Sequence, residues 1–215
     1  MKSRGSATPD ASSSLADGTG ATLILIDGHS LIYQAFYAIR NLTAPTGEPT
    51  NALFGFLGQL RKILGRGPRY MAVALDRPEP TFRHKMYADY KATRKPMPED
   101  LVSQLPMIEK LLSAYGIAVV AQAGYEADDV IATLAKLAER EGCQVEICTT
   151  DKDAEQLISE QVRIVDSRKD RVTDVSALKA AKGITPEQVV EVLGLGGDSS
   201  DNIPGVPGIG PKTAM

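Results

Sequence analysis

Acidic side chains recur where short apolar runs of this chain end. Asp27 closes the run Leu-Ile-Leu-Ile, Asp76 closes Tyr-Met-Ala-Val-Ala-Leu, and Asp151 follows a third run. Parallel strands bring their carboxyl ends to one edge of a sheet, where α/β proteins bind their ligands. We therefore predict a metal site at this edge. The predicted metal ligands are Asp27, Asp76, Glu126, Asp128, Asp129, Asp151, Asp153, Asp198 and Asp201.

Carboxylates held this close together repel one another and raise each other's pKa unless cations lie between them. Oxygen ligands suit Mg²⁺ or Mn²⁺, and two such ions about 3.5 to 4 Å apart are the usual arrangement for phosphodiester hydrolysis. We predict two or more Mg²⁺ ions, which Mn²⁺ can replace. Taken singly, the same acids could be helix caps, turn residues or first-turn acids that favour the helix dipole. Their repetition at strand ends favours the metal site.

A glycine-rich turn follows the last two acids. The stretch Gly-Val-Pro-Gly-Ile-Gly-Pro-Lys contains Gly208, Gly210 and Lys212 and matches the hairpin of helix-hairpin-helix DNA-binding motifs. Backbone amides at such a turn bind phosphate at a helix N-terminus, and the lysine adds a positive charge. The alternative interpretation is an ordinary connecting loop.

The segment 77–100 is locally basic and contains four prolines. Its cations Arg83, Lys91 and Arg94 lie on either side of Tyr87 and Tyr90. Stacking and charge together favour contact with an unpaired nucleic-acid strand, so we predict a mobile basic segment with that role. A solvated, disordered loop is the alternative.

The remaining pattern alternates strands with helices and predicts an α/β fold with a mostly parallel central sheet flanked by helices. Predicted strands lie at 23–26, 70–75, 117–121, 145–149 and 162–165, and predicted helices at 29–42, 51–64, 101–115, 126–141, 154–159 and from 185 onward. Pro106 is expected to kink or split the helix 101–115. His29 is expected to be a hydrogen-bonded packing residue.

Composition restricts the function further. A net charge of −3 and a pI of about 5.5 give no global basic signature, so any DNA-binding surface must be local. Cys143 and Cys148 lack metal-ligand spacing and are interpreted as packing residues of a protein from a reducing compartment. Residues 1–20 have almost nothing to bury and are predicted to form a disordered leader. Neither a secretory signal nor a membrane span is predicted.

The motifs together closely resemble those of the 5′→3′ exonuclease domain of bacterial DNA polymerases I, in the flap endonuclease family. The resemblance extends from about residue 23 to the last residue. It is carried by Ile-Asp-Gly at 26–28, Phe-Arg-His at 82–84, Gly-Tyr-Glu-Ala-Asp-Asp at 124–129, Thr-Asp-Lys-Asp at 150–153, and the acidic and glycine-rich stretch 197–214.

This resemblance implies a PIN-like nuclease that removes 5′ flaps and RNA primers in replication and repair. The expected organisation is a leader at 1–20, a nuclease domain at 21–195 with a helical arch at about 77–100, and the start of a truncated helix-hairpin-helix at 196–215. The acids would hold the metals directly or through water. In such proteins the hairpin also binds K⁺ against duplex phosphates.

The resemblance also assigns roles to basic and aromatic residues. Lys91 and Arg94 are expected to assist catalysis at the scissile phosphate, and Tyr33 to stack against a terminal base. The full expected DNA-binding set is Tyr33, Arg83, Tyr90, Lys91, Arg94, Gly208, Gly210 and Lys212. The expected partners are 5′-flap DNA and RNA–DNA primers.

Two other functions remain open. Because the sequence stops at Met215, a few residues into the second hairpin helix, we expect a truncated piece of a longer protein, in which a polymerase domain can follow. Such a fragment could bind branched DNA without cutting it, and a PIN-type ribonuclease is a further alternative. We expect a monomer in the bacterial cytoplasm, associated with the nucleoid.

Overall fold

The fold is built on a six-stranded sheet in the order β3-β2-β1-β4-β5-β6. The computed structural model describes residues 21–215, so the predicted leader lies outside the described residues. Strands β1 to β5 run parallel and β6 pairs antiparallel with β5, which confirms the predicted mostly parallel sheet. The strands are β1 (Thr22–Asp27), β2 (Tyr70–Ala74), β3 (Ala118–Val120), β4 (Gln144–Cys148), β5 (Val162–Asp166) and β6 (Arg171–Thr173).

Helices cover both faces of the sheet. They are α1 (Gly28–Ala38), α2 (Asn51–Leu64), α3 (Phe82–Met86), α4 (Glu99–Val102), α5 (Leu105–Ala114), α6 (Ala127–Arg140), α7 (Val175–Lys182), α8 (Val189–Gly196) and α9 (Pro211–Ala214). Ile24 and Ile26 of β1 pack into a core with α1, α2 and α5, whereas Leu25 packs into a second core with α6 and α7. Alternate β1 side chains therefore enter opposite cores, which explains the continuous apolar run.

The predicted helix 101–115 is split, as expected, into α4 and α5. Pro106 is the second residue of α5, where a missing N–H costs no helical hydrogen bond. Gln104 lies at the break and is 2% exposed. Its Oε1 accepts from the backbone nitrogen of Ala52 (2.8 Å), and its Nε2 donates to Asn51 Oδ1 (2.9 Å). Gln104 thus accepts hydrogen bonds from backbone N–H groups at the start of α2, where the N-cap residue Thr50 makes no side-chain cap of its own.

Three elements differ from the sequence prediction. The helix predicted at 154–159 is a 3₁₀ turn, Lys152–Leu157, placed two residues earlier. Neither β6 nor α7 was predicted, because β6 is only three residues long and α7 buries a single residue, Leu178. Such weak patterns do not separate a short element from a loop.

Both cysteines are buried, which confirms their interpretation as packing residues. Within residues 21–215, no helix is both long and apolar enough to cross a bilayer.

Candidate active site

Acids from three adjacent strands meet at one edge of the sheet. Asp27 ends β1, and Asp76 and Asp151 lie just beyond β2 and β4, the two neighbours of β1. Together with Asp128 of α6, these side chains line an open cleft of about 900 Å³. The three strand-end acids therefore share one cleft, as the strand-end pattern predicts, and Asp128 joins them from the first turn of a helix.

Asp27 is held at both carboxylate oxygens. Its Oδ1 accepts from the backbone nitrogen of Ser30 (3.0 Å) and so caps α1, and its Oδ2 accepts from the Thr149 hydroxyl (2.7 Å). Burial raises the pKa of Asp27, the two hydrogen bonds lower it, and the negative charges of Asp76 and Asp151 raise it again. The net effect is a raised pKa. The two hydrogen bonds thus fix the position of the Asp27 carboxylate, and burial makes its ionisation costly.

Asp76 bridges β2 and the start of α6. Its Oδ1 accepts from the backbone nitrogen of Ala127 (2.7 Å). The backbone nitrogen of Asp76 donates to Nδ1 of His29 (3.1 Å). Because that nitrogen accepts a hydrogen bond, it carries no proton, and its 3.3 Å approach to Asp76 Oδ2 is not an ion pair. His29 is therefore the hydrogen-bonded packing residue that the sequence predicts.

Asp128 shows most clearly how the acids act on one another. Its pKa is raised to about 7. Desolvation is the largest cause, and the negative charges of Asp27, Asp151, Asp76 and Glu126 add to it. A carboxyl group with this pKa is partly protonated near neutral pH. A divalent cation in the cleft would remove the repulsion and restore the ionised form.

Asp153 and Asp198 extend the acidic edge. Asp151 Oδ1 accepts from the backbone nitrogen of Asp153 (2.9 Å), while Asp153 Oδ1 is buried and has no hydrogen-bond partner among the described residues. Burial, Asp151 and Asp198 raise the pKa of Asp153 to about 6. Burial opposes ionisation of Asp198, but the Ser200 N–H and Lys152, whose Nζ lies 3.3 Å away, hold its pKa below the usual value.

The other three predicted ligands are paired with cations of the basic segment 77–100. Arg83 donates to both oxygens of Asp129 (2.6 and 2.8 Å), a bidentate pair. Lys91 Nζ donates to Glu126 Oε1 (2.7 Å), and Arg94 donates to Asp201 Oδ1 (2.5 Å). The protein itself neutralises these three of the nine predicted ligands.

Tyr90 joins the same cluster from within the core. It is 5% exposed, and its hydroxyl lies 2.9 Å from both Glu126 Oε2 and Asp201 Oδ2. One hydroxyl hydrogen serves both carboxylates, and burial together with these acids raises the pKa of Tyr90. The basic segment is therefore packed against the acids rather than extended freely into solvent. Within residues 77–100, only 82–86 (α3) and the last two residues (the start of α4) are α-helical.

The remaining predicted residues lie around the cleft and at the C-terminal end. The Tyr33 ring lines the cleft and stacks on Tyr37 with ring centroids 6.2 Å apart. Gly208 has φ +84°, a conformation that favours glycine. Gly210 immediately precedes α9, and Lys212 is exposed within that helix.

The donor set fits a hard divalent cation. All the predicted ligands are carboxylates, and the buried Asp153 Oδ1 is an oxygen that lacks a partner. Across residues 21–215, no three acidic, histidine or cysteine side chains stand close enough to enclose an ion. Thr149, whose hydroxyl binds Asp27, was not predicted as a site residue; its only local signal is a hydroxyl side chain at a strand end.

The structure is thus an α/β fold whose mostly parallel sheet carries acids along its carboxyl edge, with a basic segment packed against them. Residues 22–194 match the family model of the 5′-3′ exonuclease N-terminal resolvase-like domain, and residues 184–215 match the 5′-3′ exonuclease C-terminal SAM fold. The chain belongs to the 5′-3′ exonuclease family. The predicted resemblance is thereby confirmed.

Curated relatives agree with this assignment. DNA polymerase I of Bacillus subtilis is 45% identical over 199 residues, which cover 90% of this chain and 22% of the relative. A 5′-3′ exonuclease of Aquifex aeolicus is 41% identical over 195 residues, which cover 90% of this chain and 68% of the relative. The chain therefore spans less than a quarter of the length of that polymerase.

Solved structures share the fold. The flap endonuclease of bacteriophage T5 in a complex with DNA and metal ions has a TM-score of 0.72 at 22% identity, covering 90% of this chain and 72% of its own. The catalytic core of Rad2 in complex with a DNA substrate has a TM-score of 0.59 at 22% identity, covering 91% of this chain and 59% of its own. At this identity the similarity shows the fold alone.

Proposed function

We propose that this chain is a divalent-metal-dependent 5′→3′ exonuclease and flap endonuclease that hydrolyses DNA and RNA-primer phosphodiesters in replication and repair. The observation that supports it most strongly is the convergence of Asp27, Asp76, Asp128 and Asp151 on one cleft. Desolvation, and after it the charges of the neighbouring carboxylates, raises the pKa of Asp128, and a cation in the cleft would offset both effects. Membership of the 5′-3′ exonuclease family supplies the reaction class.

The proposed cofactor is Mg²⁺, in two or more sites, with Mn²⁺ as a substitute. The all-carboxylate donor set favours a hard cation over zinc. Among the structural neighbours, a T5 5′-exonuclease was crystallised with zinc and a Holliday junction-resolving enzyme with Mg²⁺. When bound, such ions activate a water molecule and stabilise the leaving oxygen. All nine predicted ligands remain proposals. Glu126, Asp129, Asp198 and Asp201 form ion pairs with Lys91, Arg83, Lys152 and Arg94, and the other five acids lie outside these pairs.

The basic segment is proposed to act on the substrate strand. Lys91 and Arg94 line the same cleft as Asp27, and their cations could exchange a carboxylate partner for a phosphate oxygen. They are the proposed catalytic residues at the scissile phosphate. Arg83 and Tyr90 would guide the 5′ strand, and Tyr33 would stack on its terminal base.

The C-terminal turn is proposed to bind the duplex part of the substrate. Backbone amides near Gly208 and Gly210 and the cation of Lys212 could contact phosphates, with K⁺ at the same turn. The proposed substrates are 5′-flap DNA and RNA–DNA primers. All the proposed metal ligands come from one chain, so a monomer is sufficient. We propose the bacterial cytoplasm, at the nucleoid, as the place of action, with a polymerase domain as a possible continuation of the chain.

Cleavage of a labelled 5′-flap oligonucleotide with Mg²⁺ and with EDTA tests the function. Loss of a metal ligand removes several kcal/mol of transition-state stabilisation, so Asp151→Asn should slow cleavage by more than about 100-fold. The matched control is Asp170→Asn, which makes the same chemical change at an exposed residue that pairs with Lys62 outside the cleft. Parent activity in EDTA, or an active Asp151→Asn variant, would contradict the proposal.

The same substrate separates the alternatives. A gel shift of flap DNA without any product in Mg²⁺ would support a branched-DNA-binding fragment, and cleavage of single-stranded RNA without a flap would support a ribonuclease. Under both DNA-binding hypotheses the affinity should fall with rising salt, because phosphate contacts release counterions.

A further inference from the structure

Thr149 occupies the position between two strand-end acids. In the β1–β4 ladder Ile26 pairs with Cys148, so the next residues along each strand, Asp27 and Thr149, face each other at the edge of the sheet. The side chain of Thr149 is enclosed there, with the residue 2% exposed. A buried hydroxyl at this place must find hydrogen-bond partners.

The hydroxyl of Thr149 has fixed donor and acceptor roles. The backbone nitrogen of Asp151 lies 3.0 Å from Thr149 Oγ1, and because an N–H can only donate, the oxygen accepts there. The single hydroxyl hydrogen is then donated to Asp27 Oδ2 at 2.7 Å. Thr149 thus connects an acid of β1 to the turn that follows β4.

The connection extends through the turn. Asp151 Oδ1 accepts from the backbone nitrogen of Asp153, which fixes the local geometry of the Asp-Lys-Asp stretch. At the other end, Asp27 Oδ1 is held by Ser30. A single hydroxyl therefore sets the position of a carboxylate on one strand relative to two carboxylates beyond its neighbour.

We propose that Thr149 is a positioning residue of the metal site, acting through Asp27 and Asp151 without contacting the metal or the substrate. The inference rests on the proposed function. Partners that hydrogen-bond metal ligands orient them, and their loss costs about 10- to 100-fold in metal affinity or activity. Loss of the Thr149 hydroxyl also leaves Asp27 Oδ2 and the Asp151 N–H without their partner in a buried place.

The test measures Mn²⁺ binding to the 215-residue chain by electron paramagnetic resonance, together with urea unfolding of each variant. Thr149→Val keeps the shape and removes the hydroxyl, and we expect it to weaken Mn²⁺ binding about 10- to 100-fold. Thr149→Ser keeps the hydroxyl and should bind Mn²⁺ within about twofold of the parent, which a role in packing alone would not produce. Thr150→Val is the matched control, since the exposed Thr150 hydroxyl contacts Ser30 and Gln34 but no carboxylate.

The outcomes separate the positioning role from the proposed function. Parent-like Mn²⁺ affinity in Thr149→Val, or an equal loss in Thr149→Ser, overturns the role of the hydroxyl. If Thr149→Val does not fold, the comparison of Thr149→Ala with Thr149→Ser decides in the same way. A parent chain that binds no Mn²⁺, or an Asp151→Asn variant that binds it normally, refutes the proposed function and the inference with it.

Discussion

Asp128→Asn should stabilise the metal-free protein, although it removes a proposed metal ligand. Desolvation and four neighbouring carboxylates raise the pKa of Asp128 from 3.8 to about 7, so its ionised form destabilises the folded state. An asparagine keeps the shape and removes the charge. The gain in stability measures the repulsion that the proposed cations would relieve.

The size of the effect follows from the pKa. The difference between 3.8 and about 7 corresponds to about 4 kcal/mol for a fully desolvated group. Because Asp128 faces an open cleft, solvent screening reduces this to about 1–2 kcal/mol. Because the pKa of Asp128 is raised in the folded state, protonation of this carboxyl group stabilises the folded protein. This stabilisation is complete below the unfolded-state pKa of 3.8 and is lost as the pH rises to about 7. The advantage of asparagine should therefore be full at pH 8 and less than about half as large at pH 4, close to the unfolded-state pKa of 3.8.

Urea unfolding in EDTA at the two pH values measures this effect, and Asp129→Asn is the matched control one residue away. Partial burial opposes ionisation of Asp129, but Arg83 and the Glu126 N–H hold its pKa below the usual value. Its replacement should lower stability by about 1 kcal/mol at pH 8. With Mn²⁺ at 100 times its Kd, the parent should gain about 2.7 kcal/mol and Asp128→Asn much less.

If Asp128→Asn is no more stable than the parent at pH 8 without metal, ionised Asp128 does not destabilise the folded state and the proposed repulsion is refuted. A gain of the same size at both pH values would also contradict it, because the repulsion must follow ionisation of the carboxyl group. Equal responses of Asp128→Asn and Asp129→Asn would show that the two acids share one environment, contrary to the ion pair with Arg83.

Three further changes test the fold and the basic segment. Phe56→Ala removes a fully buried ring and should lower the free energy of unfolding by about 3–5 kcal/mol in urea. Tyr90→Phe removes the hydroxyl that two carboxylates share, so amide hydrogen exchange of the segment 87–94 should accelerate; unchanged exchange would contradict the packing role. Gly197 has φ +71°, and Gly197→Ala places a Cβ against the backbone nitrogen of Gly205, so this change should destabilise the protein in urea unfolding, whereas Gly194→Ala, with open space around it, should not.

The positions of the acids relative to the sheet were predictable from the sequence. A run such as Leu-Ile-Leu-Ile ending in Asp27 indicates both a buried strand and the residue at its carboxyl end, because strand length and polarity are local properties. The helix 51–64 was predicted with its observed bounds for the same reason, since its apolar residues repeat at helical spacing. The boundary between α4 and α5 followed from Pro106, which restricts the backbone locally.

Partnerships between distant residues could not be predicted in this way. Nothing in the local sequence indicates that Lys91 binds Glu126 or that Arg94 binds Asp201, 107 residues away. The segment 77–100 reads as mobile because its own residues offer little to bury, yet Tyr90 is enclosed by acids from other elements. Burial and pairing are properties of the folded surface, which forms from several parts of the chain.

The sequence by itself determined the α/β class, the strand-end placement of the acids and the family, since each depends on residue types at short spacing. Only the tertiary structure divided the acids into a repelling group around Asp128 and a group neutralised by Arg83, Lys91 and Arg94. It alone placed Thr149 beside Asp27, 122 residues away along the chain. Charge interactions and hydrogen bonds depend on distance through space, and that distance is fixed only when β1 and β4 pair.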